Sequence, residues 1–162
     1  METQVSILSN LPIAAAALFG APDASADEIN VSTGATLAGP GLAVHGYDVV
    51  AYFAKGSPAV GSDKFAVAHN GGTYRFASEA NLDAFKANPD RYLPAYGGFC
   101  AYGAALAKKF DGDPRQWRIV DGRLYFNLNA DIAAEWGEDI PGNIAKADGN
   151  WRRIRTIAAR KL

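Results

Sequence analysis

The chain is poor in the residues from which metal and redox sites are built. Its 162 residues include one cysteine and two histidines, so it cannot form an intramolecular disulfide, and any site with nitrogen and sulfur ligands must be small. It also lacks a Cys-x-x-Cys pair, a phosphate-binding loop, a Gly-x-Ser-x-Gly turn and a His-Glu-x-x-His pair, so no motif indicates a hydrolase. The question is what the one thiol, Cys100, does.

The chain also has no excess of charge of either sign. Its net charge is -1, which gives no global reason to expect nucleic acid or an anionic membrane as a partner. Hydrophobic residues make up 49% and charged residues 20%, as in ordinary soluble domains. A chain of this length can form one domain that buries a core without cross-links.

The first 44 residues show no regular pattern. LPIAAAALFG, residues 11–20, followed by Ala24-Ser25-Ala26, is typical of a signal peptide with its cleavage site, and the run is too short for a stable membrane span. However, the first basic residue is Lys55, so the basic start of a signal is missing. Residues 1–26 are therefore either an export signal, which would make the protein periplasmic or otherwise exported, or a retained N-terminal arm. Residues 27–44 form an irregular lead-in.

Two β-hairpins are indicated by their turns. Phe65–His69 and Thr73–Phe76 flank an Asn-Gly-Gly turn, and Trp117–Val120 and Arg123–Asn127 flank Asp-Gly; both turns supply residues that tolerate positive φ. After the hairpins, Ser78 and Asn129 are expected to cap helices.

Helices account for most of the remainder. The first capped helix should end at Asn88-Pro89, and a further helix is expected over Ala101–Lys109, just after Cys100. Ile140-Pro141-Gly142 is expected to turn the chain, and a last helix should run from about Asn143 to the C-terminus with a break near Gly149. No internal repeat is evident. We therefore predict an α+β fold, a small single domain with two antiparallel β-hairpins and several helices.

The segment NGGTYRFASEANLDAFKANPDRYL, within residues 65–93, resembles the YHS domain family over about thirty residues in register. The pieces VHGYDVVAYF, YGGFCAYG and IVDGRLYFNLN resemble the exported bacterial branch of that family, so the resemblance runs from about Ala43 to Trp151. It implies a YHS-like α+β domain at 45–151. Residues 152–162 are rich in basic side chains and are expected to form a basic C-terminal helix or tail.

The same resemblance implies heavy-metal binding, because small YHS domains often accompany copper transporters. Their helix normally begins Cys-Ser-Glu-x-Cys, and this chain has Ala77 and Asn81 at those two positions. The cysteine of the entry motif is absent as well. In some relatives of the exported branch the residue corresponding to Cys100 is selenocysteine, which points to redox chemistry.

Three functions remain open at the level of sequence. In the first, Cys100, His45 and Asp48 bind copper or another soft metal ion. In the second, Cys100 is a redox nucleophile without a metal, which needs an external thiol. In the third, the chain is a non-catalytic interaction module whose metal site has decayed, with Cys100 as a buried core residue.

Further candidate residues and partners follow from these functions. Tyr47 and Tyr102 are additional site candidates, and so is His69, which we expect to be exposed beside the first turn. A metal-handling or redox protein is the expected partner, and an enzymatic activity is not favoured.

Overall fold

The computed structural model describes residues 28–31, 39 and 41–162. The apolar run 11–20, the small residues 24–26 and most of the lead-in lie outside the described residues, so export stays a prediction. In the described part the chain has two antiparallel two-stranded sheets and several helices, which confirms the α+β fold class. None of the described helices is long and apolar enough to cross a membrane.

Four strands and six α-helices make up the described part of the chain. In chain order they are α1 (Ala51–Ala54), β1 (Ser62–His69), β2 (Gly72–Phe76), α2 (Glu79–Ala87), α3 (Pro89–Tyr92), α4 (Ala101–Ala105), β3 (Asp113–Val120), β4 (Arg123–Asn127), α5 (Ala130–Glu138) and α6 (Ile140–Ile154). Short 3-10 helices cover Val44–Gly46, Ala95–Gly98 and Ala159–Lys161.

Both predicted hairpins are confirmed. β1 pairs with β2, and β3 pairs with β4. The first residue of each turn is left-handed, with φ of 46° at Asn70 and 49° at Asp121, and each is followed by a glycine with positive φ. This geometry matches the right-handed twist of the strands, which is why the two-residue turns suffice.

The predicted helix caps are also confirmed. Ser78 Oγ accepts a hydrogen bond from the backbone N–H of Asn81, and Asn129 Oδ1 accepts one from that of Ile132. Asp48 Oδ1 accepts the N–H groups of Val50 and Ala51 at the start of α1. The apolar run after Asp48 is thus a short helix with an Asp cap.

Three predictions about the helices were wrong. α4 ends at Ala105 and does not reach Lys109, because Ala107 has a left-handed φ of 59°. Pro141 occupies the first turn of α6, where its missing N–H costs nothing, so Ile140-Pro141-Gly142 begins a helix. α6 then continues through Gly149 without a break.

The described chain contains two units of the same architecture, a repeat that the sequence did not reveal. Each unit has a strand of eight residues, a strand of five and a helix of nine, and each boundary in the second unit lies 51 residues after its counterpart in the first. The first unit starts its hairpin at Ser62 and the second at Asp113. Both long strands also lose register with their partners immediately after that first residue. We call positions 51 residues apart equivalent.

Few residues are identical at equivalent positions, and glycines are prominent among them. A side chain at Gly61 would collide with the backbone of Arg75, and one at the equivalent Gly112 would collide with the carbonyl of Gly98. Close backbone approach therefore requires glycine at both places. Because most other positions differ, the repeat is visible in the backbone and hidden in the sequence.

Two buried clusters share strand β4. Leu124 and Phe126 pack in a cluster with Tyr52, while Tyr125 packs in another with Trp136. Side chains alternate along a strand, so β4 presents one set to each cluster. Cys100 and the end of β4 lie close together, since Cys100 forms a parallel bridge with Phe126.

Candidate functional site

Cys100 is fully buried at the start of α4. Its exposed fraction is 0%, and its Sγ accepts a hydrogen bond from the backbone N–H of Gly103 at 3.4 Å. The thiol in turn donates to Asn127 Oδ1 at 3.6 Å. The sulfur therefore acts as the N-terminal cap of α4 and ties that helix to the end of β4.

The environment of Cys100 favours the protonated thiol. Burial raises the pKa of the Cys100 thiol, and the backbone N–H groups of Gly103, Leu128 and Tyr102 only partly oppose that rise. A thiol that donates to Asn127 must itself be protonated. The thiolate is the form that attacks electrophiles and binds metals. The environment of Cys100 therefore disfavours both reactions.

Asp48 is a second buried cap. Its exposed fraction is 0%, and Oδ1 accepts the N–H groups of Val50 at 2.8 Å and Ala51 at 3.2 Å. Oδ2 accepts the backbone N–H of Ala77 at 2.8 Å and the side-chain Nδ2 of Asn81 at 2.6 Å. Ala77 and Asn81 are the two positions where the family resemblance expects cysteines. Here both residues donate hydrogen bonds to the Asp48 carboxylate.

Cys100 and Asp48 occupy corresponding places in the two units. Each accepts the N–H of the residue three places ahead, Ala51 or Gly103. Each also faces the N–H of the residue that follows the second strand, Ala77 or Leu128. Each also donates its own N–H to a carbonyl, Asp48 to Ala59 and Cys100 to Phe110. The two acceptor residues, Ala59 and Phe110, are equivalent because they lie 51 residues apart. Cys100 thus takes the capping role of Asp48 in the second unit. It lies one residue after position 99, which is the position equivalent to Asp48.

His45 lies at the surface and has its own partner. Its Nε2 is 2.8 Å from Asp111 Oδ1, and both side chains are about half exposed. Asn30 Nδ2 donates to the same carboxylate oxygen at 2.6 Å. Val44 and His45 both have left-handed φ, 51° and 50°, which holds the imidazole over Asp111. This geometry is strained for a β-branched residue such as Val44.

The structure does not bring the three predicted metal ligands together. Cys100 faces Asn127, Asp48 faces backbone donors, and His45 faces Asp111. Within residues 28–31, 39 and 41–162, no three His, Cys, Asp or Glu side chains form a group that could hold a metal ion. A soft-metal centre would have to break both caps, so these residues do not fit one.

The remaining candidates are dispersed as well. Tyr47 is half-buried and pairs with Val60 through a backbone bridge, and half-buried Tyr102 donates its backbone N–H to Asn127 Oδ1 at 3.2 Å. The expectation that His69 is exposed was wrong. Its ring is half-buried and lies edge-on to Phe85 at 5.5 Å, and its buried Nε2 has no hydrogen-bond partner in the described part.

Sequence reasoning missed Asn127. It is 3% exposed and accepts both the Cys100 thiol and the Tyr102 N–H. Its only sequence signal was its place at the end of the second hairpin, where a buried amide needs a partner.

Comparison with known proteins identifies part of the chain. Residues 50–96 match the family model of the YHS domain. No curated protein and no solved structure matches the chain. The matched segment contains α1, the first hairpin, α2 and α3, which is the first unit with its following turn. The chain therefore carries a YHS domain at residues 50–96, and the second unit of the same architecture follows it.

Proposed function

We propose that this chain is a non-catalytic binding module of YHS type, in which Cys100 is a structural cap. YHS domains are commonly linked to metal handling, and copper binding through the lone thiol is the finer function that the resemblance suggests. The observation that carries our proposal is the correspondence between Cys100 and Asp48. Each side chain accepts the backbone N–H three places ahead and faces the N–H of the residue after the second strand of its unit. A cap needs an acceptor there, and sulfur supplies one.

A soft-metal function is disfavoured by the cost of exposing the ligands. Binding at Cys100 requires a deprotonated sulfur and a coordination site that reaches it. The sulfur is fully buried, and its contacts include the Gly103 N–H and Asn127 Oδ1. Losing these contacts would leave buried polar groups without partners, which costs about 1–3 kcal/mol each.

A redox function is disfavoured by the same geometry. Reactive cysteines are accessible and have a lowered pKa, whereas burial raises the pKa of Cys100. Cys100 is the one cysteine of the chain, so a disulfide would require a second molecule. An external thiol cannot approach a sulfur with 0% exposure unless α4 opens.

The proposal is tested by titrating the reduced full-length protein with Cu(I) and Zn(II). Wild type, Cys100→Ser and His45→Gln are compared, and bound metal is counted by native mass spectrometry. We expect no stoichiometric binding that depends on Cys100. One equivalent of Cu(I) bound by wild type and lost in Cys100→Ser would overturn the proposal and establish the metal function; additional loss in His45→Gln would identify the co-ligand.

Export is a further part of the proposal, supported by the run at 11–20 and the small residues at 24–26. Expression in a bacterial host, followed by mass measurement of the periplasmic fraction, tests it. Cleavage after Ala26 should yield a chain beginning at Asp27. An intact chain confined to the cytoplasm would contradict export.

A further inference from the structure

A cavity of about 170 Å³ opens beside the irregular part of β3. In β3, the residues between Asp113 and Trp117 have no cross-strand partner, so the strand bulges away from β4. Bulges redirect side chains and open space next to a sheet. The cavity lies between this bulge, the end of β4 at Asn127 and the face of α5 that carries Ala133 and Trp136.

Two side chains of the cavity wall, Trp136 and Asn127, have N–H groups available to a ligand, and that of Trp136 is buried without an acceptor. Trp136 is 1% exposed, and its Nε1 has no hydrogen-bond partner in the described part of the chain. Asn127 uses Oδ1 for both of its hydrogen bonds, with the Cys100 thiol and the Tyr102 N–H. A backbone N–H can only donate, so the Asn127 amide orientation is fixed and its Nδ2 is left as a donor. A buried donor such as the Trp136 indole requires an acceptor.

The same wall carries positive charge. Arg115 binds Asp113 through two nitrogens, at 3.0 Å and 2.9 Å, which neutralises that carboxylate. Arg118 has no acidic partner among the residues that the structure describes. Gln116 adds a further amide. Among the described residues, the lining therefore offers an excess of donors and one uncompensated cation, and none of its side chains is a carboxylate.

The first unit serves as an internal control for this cavity. The residues equivalent to Asn127, Ala133 and Trp136 are Phe76, Leu82 and Phe85, which are buried together in the first core. Phe76 and Phe85 touch, with ring centroids 5.0 Å apart. In the second unit an amide and a methyl group replace the first two side chains. The smaller side chains open the cavity, and its polarity arises from Asn127 and from Trp136 in place of Phe85.

We propose that this cavity binds a small oxyanion, the group shared by phosphate and carboxylate ligands. One oxygen would accept the indole N–H of Trp136 and the amide of Asn127, and Arg118 would supply the opposite charge at the mouth. Planar or tetrahedral oxyanions accept several such donors at once. The site is separate from Cys100 and does not depend on metal binding, because the Tyr102 N–H alone fixes the Asn127 amide.

The experiment follows the three indole N–H resonances of the ¹⁵N-labelled full-length protein. Sodium phosphate and sodium acetate are titrated separately, with sodium chloride at matched ionic strength as the control. Trp136→Phe assigns the resonance; if that variant does not fold, Trp117→Phe and Trp151→Phe assign it by elimination. We expect a saturable shift of the Trp136 resonance with one or both oxyanions. The oxyanion that binds with the lower Kd shows whether the cavity is a phosphate site or a carboxylate site.

Charge at the mouth is tested with Arg118→Gln, and Arg152→Gln on α6 is the matched control. Loss of one charge-assisted hydrogen bond should weaken binding about tenfold or more, while the control variant should bind as wild type does. Phosphate and acetate shifts no larger than those of chloride would show that the cavity holds only water. Equal weakening in both variants would show a general salt effect, and either result would overturn the proposal.

Discussion

Cys100 and Asp48 solve one structural problem with different chemistry. Each closes the turn that leads into a short helix by accepting backbone N–H groups, and each is fully buried. A carboxylate accepts these bonds strongly and carries its charge without a cation, because four donors surround it. The thiol accepts more weakly, but it also donates to Asn127. The lone cysteine is therefore explained by its place in the fold.

The Asp48 cap gives a prediction at this scale. In Asp48→Asn, an amide replaces one carboxylate oxygen, so a donor would face the N–H groups that Asp48 now accepts. We expect the free energy of unfolding to fall by about 3 kcal/mol, the cost of losing bonds to a charged acceptor and leaving buried donors unpaired. Urea denaturation measures this change.

The control for that measurement is Asp83→Asn on the exposed side of α2, which should change the free energy of unfolding by less than about 0.5 kcal/mol. Equal losses in the two variants would contradict the role given to Asp48, since removing a surface charge would then explain both.

The residue scale also shows how far the sequence could predict the site. The capping role of Asp48 agrees with local rules, because Asp is a common capping residue. Local rules do not assign Cys100, because a cysteine between glycines and aromatics is equally compatible with a ligand, a nucleophile and a core residue. Its partner Asn127 is 27 residues away, and only the folded hairpin brings the two together.

At the scale of elements, Lys109 anchors the end of α6. It is 6% exposed, and its Nζ donates to the carbonyls of Arg155 at 2.6 Å and Ile157 at 2.7 Å. The ammonium also lies 5.2 Å from the ring centres of Phe99 and Trp151. A cation at a helix C-terminus satisfies carbonyls that have no partner within the helix.

We therefore expect Lys109→Met to destabilise the C-terminal turn of α6. The methionine keeps the apolar stem but removes two hydrogen bonds and the cation, at a cost of about 2 kcal/mol. Amide hydrogen exchange of residues 151–157 should accelerate, whereas exposed Lys108→Met should leave it unchanged. Equal amide hydrogen exchange rates in Lys109→Met and wild type would contradict the anchoring role of Lys109.

The two errors about α6 have different physical reasons. Pro141 lies in the first turn, where proline is tolerated, whereas at Gly149 tertiary contacts outweigh the weak helix preference of glycine. Asp139 Oδ1 caps the start of α6 by accepting the N–H of Gly142 at 3.0 Å. Next to Gly149, Asn150 Nδ2 donates to the carbonyls of Ala104 and Ala105 at the end of α4. The carbonyls that Asn150 binds are distant in sequence, so local patterns could not reveal these contacts.

At the scale of the whole molecule, buried tyrosines make the fold sensitive to alkaline pH. Burial raises the pKa of Tyr52, Tyr74, Tyr96 and Tyr125 above the ordinary value, and a hydrogen bond to Asp148 adds to the rise at Tyr96. The folded state thus keeps these protons to higher pH than the unfolded state does. Their neutral forms are compatible with the two cores, whereas phenolates are not.

We predict that stability is independent of these tyrosines below about pH 10 and falls as pH rises beyond it, because the unfolded chain then releases protons that the folded chain retains. Each such tyrosine lowers the free energy of unfolding by about 1.4 kcal/mol per pH unit. Urea denaturation between about pH 8 and pH 11 measures the slope. Tyr74→Phe should reduce it; an unchanged slope in that variant would contradict the assignment.

The repeat is also a property of the whole molecule, and it explains what the sequence could predict. The turns at Asn70 and Asp121 and the caps at Ser78 and Asn129 follow local rules, so the hairpins and their helices were predictable one by one. The equivalence of the two units rests on strand lengths, bulges and backbone angles. Different side chains are compatible with the same backbone, so the sequence does not show it. The cavity beside Asn127 was hidden for the same reason, since it appears only on comparison with the filled first unit.

The measurement that tests the account most directly is the alkylation rate of Cys100 as a function of urea. A buried cap should react only when the protein opens, so the rate in native buffer should be far below that of a free thiol. The urea dependence of the rate should match the slope of global unfolding. Rapid alkylation in native buffer with little dependence on urea would contradict the account, because it would show an accessible and reactive thiol.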